Sequence, residues 1–70
     1  MGYDKDRIAR RLKSLRADKG WEQDDLARES GVSKAVIANI ETARTGTSLD
    51  TAFKLTEALG CSLEQLVCRE

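Results

Sequence analysis

Ser33, Lys34, Ala35, Ala38 and Asn39 stand in the stretch SGVSKAVIANIE, residues 30–41, beside a turn glycine and two isoleucines three apart. On a helix they form an outer face that is mostly small and carries one charge. A helix that only has to fold covers its solvent face with glutamate, lysine and arginine pairs. A bare face therefore raises the question of what lies against it. Catalytic chemistry has little to draw on elsewhere. The chain holds no histidine, no glycine-rich phosphate loop and no cluster of metal ligands, so neither an enzyme nor a metal or other cofactor is expected.

The chain has 70 residues, no proline and three aromatic residues, Tyr3, Trp21 and Phe53. A chain this short buries only about 60% of its unfolded surface, which leaves room for one modest core and one domain spanning residues 1–70. The β-branched residues are scattered, which favours an all-α fold. Apolar runs are too short to span a membrane and no signal peptide opens the chain, so the expected location is cytoplasmic. The two cysteines, Cys61 and Cys68, are close in sequence. A bridge between them would close a small loop and stabilise little, so Cys61 is read as a core residue and Cys68 as a free thiol. Net charge is zero, but residues 1–20 carry seven basic and three acidic side chains while residues 21–32 carry one basic and four acidic. A neutral protein with that asymmetry can still present a basic face. The run Arg7, Arg10, Arg11 and Lys13 reads first as a solvated face.

Five short helices account for the pattern. Ile8, Leu12 and Leu15 make the apolar stripe of a helix over about 5–19, which Gly20 ends. Trp21 and Leu26 have hydrophobic-staple spacing around the start of a second helix, about 23–29. Ser33 caps a third, about 34–41, that buries Ile37 and Ile40 with Val36 at the margin. Ser48 caps a fourth, to about Leu59, for which Leu49, Ala52, Phe53, Leu55 and Leu59 are expected to face inward. Ser62 and Gln65 have capping-box spacing and open a fifth. Two short helices joined by a tight turn through Gly31 have the layout of a helix-turn-helix, whose second helix can enter the major groove of DNA.

The residues 12–41, LKSLRADKGWEQDDLARESGVSKAVIANIE, resemble the Cro and phage-repressor type of helix-turn-helix, the XRE family. The match comprises Leu12, Leu15, Arg16, Gln23, Leu26, Ala27, Gly31, Val32, Ser33, Ile37, Ile40 and Glu41. It continues through Ser48, Leu49, Leu55, Ala58, Leu59, Gly60, Ser62, Leu63 and Leu66, covering about residues 8–67 without a gap. The resemblance implies a compact five-helix bundle of the lambda-repressor-like class, with the helix-turn-helix at about 23–41. It also implies a structural ion pair between Arg16 and Glu41.

For function, the resemblance implies sequence-specific binding of operator DNA by a homodimeric transcription regulator, most simply a repressor. Gln23 would contact phosphate or support a side chain of the recognition helix. Ser33, Lys34, Ala35, Ala38 and Asn39 would face the groove. Lys34 can donate to guanine and Asn39 can pair with adenine, while the alanines touch thymine methyls or let the helix sit deep. Thr42 and Arg44 would contact phosphate. The plainer alternative for Lys34 and Asn39, less favoured here, is that each is an ordinary solvated residue. Leu63, Leu66 and Val67 are either a dimer surface or core. The rival reading is an antitoxin-type module, binding a protein partner such as a toxin with or without DNA.

Three positions depart from the family pattern. Glu22 stands where a serine or threonine cap is usual, Ala43 where a helix-ending glycine is usual, and Thr47 where a proline is usual. Ala43 either adopts a positive φ at a cost of about 1 kcal/mol or the turn differs.

Overall fold

The computed structural model describes residues 4–67, and Tyr3 and Cys68 lie outside that range. Five helices follow one another: α1 (Lys5–Asp18), α2 (Gln23–Ser30), α3 (Lys34–Glu41), α4 (Leu49–Leu59) and α5 (Leu63–Val67). No strand occurs among the described residues. The core is a single cluster to which α1 gives Ile8 and Leu12, α2 gives Leu26, α3 gives Ile37 and Ile40, α4 gives Ala52, Leu55 and Leu59, and α5 gives Leu66. α1 packs on α3 and α5, α2 on α3 and α4, and α4 on α5.

Local chemistry explains where each helix begins. The hydroxyl of Ser33 accepts from the Val36 N–H at 3.2 Å and that of Ser48 from the Thr51 N–H at 3.2 Å, the ordinary N-cap bond. Ser62 and Gln65 form the reciprocal capping box, at 3.0 and 3.3 Å. Glu22 begins α2 differently. Its own N–H donates to Asp25 Oδ2 at 2.9 Å, so the acid one turn inside the helix does the capping. That bond and the Arg28 guanidinium hold the Asp25 carboxyl below its ordinary range. Trp21 is half-buried against the core, and the Lys19 ammonium sits 5.1 Å above its ring.

The turns decide how α2 and α3 meet. Gly31 ends α2 with φ 79°, a conformation open to glycine without steric cost. Ala43 ends α3 with φ 60° despite its side chain. Around it the Ala43 N–H donates to Ile40 O at 3.0 Å and the Arg44 N–H to Asn39 O at 2.9 Å, the two bonds of a Schellman close. The hydrogen bonds are those a glycine would make, so the alanine pays only its strain. Ala43→Gly is expected to raise unfolding free energy by about 0.5–1 kcal/mol, the strain relieved less the backbone entropy glycine adds. A urea titration followed by helical circular dichroism checks the gain, and an unchanged midpoint would contradict it. Thr47, in the place of the usual proline, is 6% exposed.

The inward face of α4 differs from expectation. Ala52, Leu55, Thr56 and Leu59 are buried, whereas Leu49 is 66% and Phe53 59% exposed. Thr56 fills the inward place because its hydroxyl donates to Ala52 O at 3.0 Å and so needs no outside partner. Phe53 then sits about 100° around the helix from Ala52, off the packed stripe. Among the residues expected as dimer surface, Leu66 is corrected: it is fully buried in the core, while Leu63 and Val67 are half-buried against it. Cys61 is half-buried, and burial pushes its thiol pKa up, as suits a core residue rather than a reactive one. In the basic run of α1, Arg11 is a tie: its Nε donates to Gln65 O at 2.8 Å, linking α1 to α5.

Candidate nucleic-acid interface

α3 is held at both ends by side chains from other helices, and these bonds set how its outer face is presented. At its C-terminal end Glu41 is 4% exposed. Arg16 reaches it from α1 in a two-bond fork, Nε to Oε2 at 2.7 Å and Nη2 to Oε1 at 2.9 Å. The third Arg16 nitrogen, Nη1, donates to Trp21 O at 2.9 Å. One guanidinium therefore joins α1, the link before α2 and the end of α3. The hydrogen bond to Glu41 and that residue's charge raise the Arg16 pKa, against the opposing effect of burial. Gln23 completes the cluster: its Nε2 donates to Glu41 Oε1 at 3.0 Å. Of the two roles expected for Gln23, the geometry shows support of a recognition-helix residue. A phosphate contact would have to use its second amide hydrogen.

At the other end, Lys34 Nζ lies 3.2 Å from Asp24 Oδ1 on α2. Both side chains are more than half exposed, so the pair is worth little and opens readily. Asp24 stands in the first turn of α2, where a negative charge suits the helix dipole, and it also holds the one cation among the outer-face residues of α3. No spacing rule signals a contact across the helix-turn-helix turn. Asp24→Asn keeps a residue suited to the first turn and frees Lys34. DNA affinity is expected to rise about two- to fivefold, the worth of a surface pair. Fluorescence anisotropy on a selected duplex measures it, and an unchanged affinity would mean Lys34 does not face DNA.

The outer face of α3 carries no bulk. Ser33, Lys34 and Ala35 are exposed, and Ala38 and Asn39 are half-buried beside them. Val36, 39% exposed, adds an apolar edge that sequence placed only at the margin. Ser33 uses its oxygen as an acceptor in the cap, which leaves its hydroxyl hydrogen for an outside acceptor. Thr42 donates to Ala38 O at 2.9 Å, so a phosphate contact requires that hydroxyl to turn outward. Arg44, whose N–H makes one of the two bonds of the Schellman close, is exposed. Lys34, Ala35, Ala38, Asn39 and Thr42 thus lie along one side of the helix and its end. Glu22, exposed at the start of α2, adds a negative charge near the same end of the pair of helices. Among the described residues no group of acids and cysteines could hold a metal ion, and no helix is long and apolar enough to cross a membrane.

A family model described as helix-turn-helix matches residues 12–66, from the middle of α1 to α5. The chain belongs to that family. The XRE-type architecture is seen again in solved structures. The restriction-modification controller protein C.AhdI from Aeromonas hydrophila superposes with TM-score 0.86 at 32% identity, over 90% of this chain and 96% of that one. A hypothetical transcription factor from Neisseria superposes with TM-score 0.85 at 30% identity, over 90% of this chain and 72% of that one. In sequence, antitoxin HipB of Escherichia coli O6:H1 is 36% identical over 61 residues, which are 87% of this chain and 65% of the relative. The helix-turn-helix chain therefore spans a little less than two thirds of that relative's length.

Proposed function

We propose that this helix-turn-helix protein is a non-enzymatic, sequence-specific DNA-binding regulator of transcription, acting as a repressor and as a homodimer. The observation that carries the reading is the pairing of a bare α3 face with a rigid anchor beneath it. The Arg16–Glu41–Gln23 cluster fixes the helix while Ala35 and Ala38 let it approach base edges closely. Lys34 donates to guanine and Asn39 pairs with adenine, each such contact being worth about 1–3 kcal/mol of discrimination. Thr42 and Arg44 hold phosphate, with Gln23 and Ser33 beside the backbone at the helix starts. One helix reads few bases, and a second copy one DNA turn away doubles the readout. Repression follows most simply, because a small chain seated on an operator blocks access to it.

A second reading is favoured by one observation, the likeness to HipB, whose name describes an antitoxin. A chain of that kind would bind a toxin-type protein as well as its own operator. The zero net charge is compatible with it, since non-specific DNA affinity comes from neutralised phosphates.

Two variants separate the roles on the DNA side. Asn39→Ala is expected to relax preference at one base position of a bound site, with little change in salt dependence. Arg44→Ala is expected to weaken all sequences alike and to lower the slope of log affinity against log salt by about one. Identical behaviour of the two would reject this division of roles. Absence of any salt-dependent DNA binding by the wild-type chain would leave the protein-binding reading in its place.

A further inference from the structure

Leu49 and Phe53 stand one turn apart on the outer face of α4, 66% and 59% exposed. α4 buries its other face against α2 and α5, so this one is left over from folding. Its charges are of both signs: Asp50 and Lys54 form a loose pair, Nζ to Oδ2 at 3.6 Å, with side chains 81% and 53% exposed, and Glu57 follows, also exposed. Two acids make the face a poor match for phosphate, and the lysine makes it a poor match for a uniformly basic partner.

We propose that this face binds a second copy of the chain through an antiparallel α4–α4 contact, with the twofold axis passing between the two helices at the height of residue 51. The proposal rests on the homodimeric reading above and assigns it a surface. A twofold axis at that point sets Leu49 of one copy opposite Phe53 of the other, twice over, so both large apolar groups are covered by the same operation. Lys54 of one copy then falls two residues, about 3 Å of helix rise, from the level of Asp50 of the other, within reach of its flexible stem. The mixed charges that fit no single-sign partner become self-complementary. A parallel contact would instead face Asp50 with Asp50.

The neighbourhood fits the same occupant. Phe53 forms one lip of a cleft of about 420 Å3 between α4 and α5, lined also by Cys61 and Leu63. Leu63 thereby keeps a place at the dimer surface that Leu66 does not.

Sedimentation equilibrium of the 70-residue chain without DNA, from micromolar to millimolar concentration, tests the proposal. The wild type is expected to dimerise, and Leu49→Glu or Phe53→Glu to weaken association at least about tenfold. Both residues are exposed, and an unchanged circular dichroism spectrum confirms that the variants fold. The charge pattern gives the sharper arm. Asp50→Lys and Lys54→Asp are each expected to weaken self-association, and a mixture of the two variants to form heterodimers. A monomeric wild type overturns the proposal, as does a dimer indifferent to Leu49→Glu and Phe53→Glu. Two weakened charge variants that fail to associate on mixing overturn the antiparallel register. Binding of the wild type to DNA is measured separately: DNA binding without association through α4 removes this interface and leaves the regulator standing, whereas association without DNA binding does the reverse.

Discussion

Replacing Arg16 by alanine is expected to cost about 3–5 kcal/mol of unfolding free energy, the loss typical of breaking a buried ion pair by removing one partner. The cause is the group left behind. Glu41 is 4% exposed and accepts two bonds from Arg16 and one from Gln23, so the variant strands a carboxylate with a single amide for company. A domain of this size has only about 3.5–10 kcal/mol in total, taking about 0.05–0.15 kcal/mol per residue, so the loss is a large share of the whole. Arg16 also holds Trp21 O, and its loss loosens the link that starts α2. The double replacement Arg16→Met with Glu41→Leu removes both charges and keeps apolar volume, and is expected to recover most of the loss. Urea denaturation of the three proteins decides the matter. A cost under about 1 kcal/mol for Arg16→Ala would place the pair among ordinary surface bridges.

The second large effect concerns function with the fold intact. Ala35→Glu is expected to reduce DNA affinity by two orders of magnitude or more, since like-charge juxtaposition in an interface costs several kcal/mol. Ala35 is exposed on α3, and alanine and glutamate are both good helix formers, so stability should change little. The added carboxylate would enter a groove lined by phosphates, on the face where Ala35 and Ala38 allow close approach. Ala35→Lys serves as the control for bulk: it is expected to lose sequence preference while keeping salt-dependent affinity. Anisotropy titrations with matched and unrelated duplexes separate the two losses. Undiminished binding by Ala35→Glu would move the DNA to another face.

Some of this was legible from the residues alone. α3 runs over Lys34–Glu41 as expected because Gly31, Ser33 and two buried isoleucines mark its start and its inner side unambiguously. The start of α5 was equally plain from Ser62 and Gln65. The Arg16–Glu41 pair joins residues 25 apart, and only the resemblance pointed to it. Leu49 and Phe53 of α4 face outward against expectation because residue type alone does not set burial. A threonine that bonds its own helix backbone can occupy the inward place and turn a phenylalanine outward. Sequence leaves Leu66 open between core and surface, and the packing of α5 on α1 and α4 puts it in the core. The Lys34–Asp24 contact depends on the angle between α2 and α3, which no periodicity encodes.

These corrections bear on mechanism. The outer face of α3 has one cation, already lightly held, beside acids at the start of α2, so the proposed DNA binding would draw on fit and on a second copy as much as on charge. A face with Lys34, Asn39 and two alanines encodes few bases. On the proposed reading, Arg44 and Thr42 at the backbone then supply affinity and register, while the remaining specificity falls on DNA shape and on the spacing of two half-sites.

Selection of bound sites by the wild-type chain from a pool of random duplex DNA tests the central claim most directly. The α3 reading predicts enrichment of an inverted repeat with half-site centres about 10–10.5 base pairs apart. It also predicts that the contacted positions lie in the major groove. A pool that emerges without any enriched sequence would contradict it.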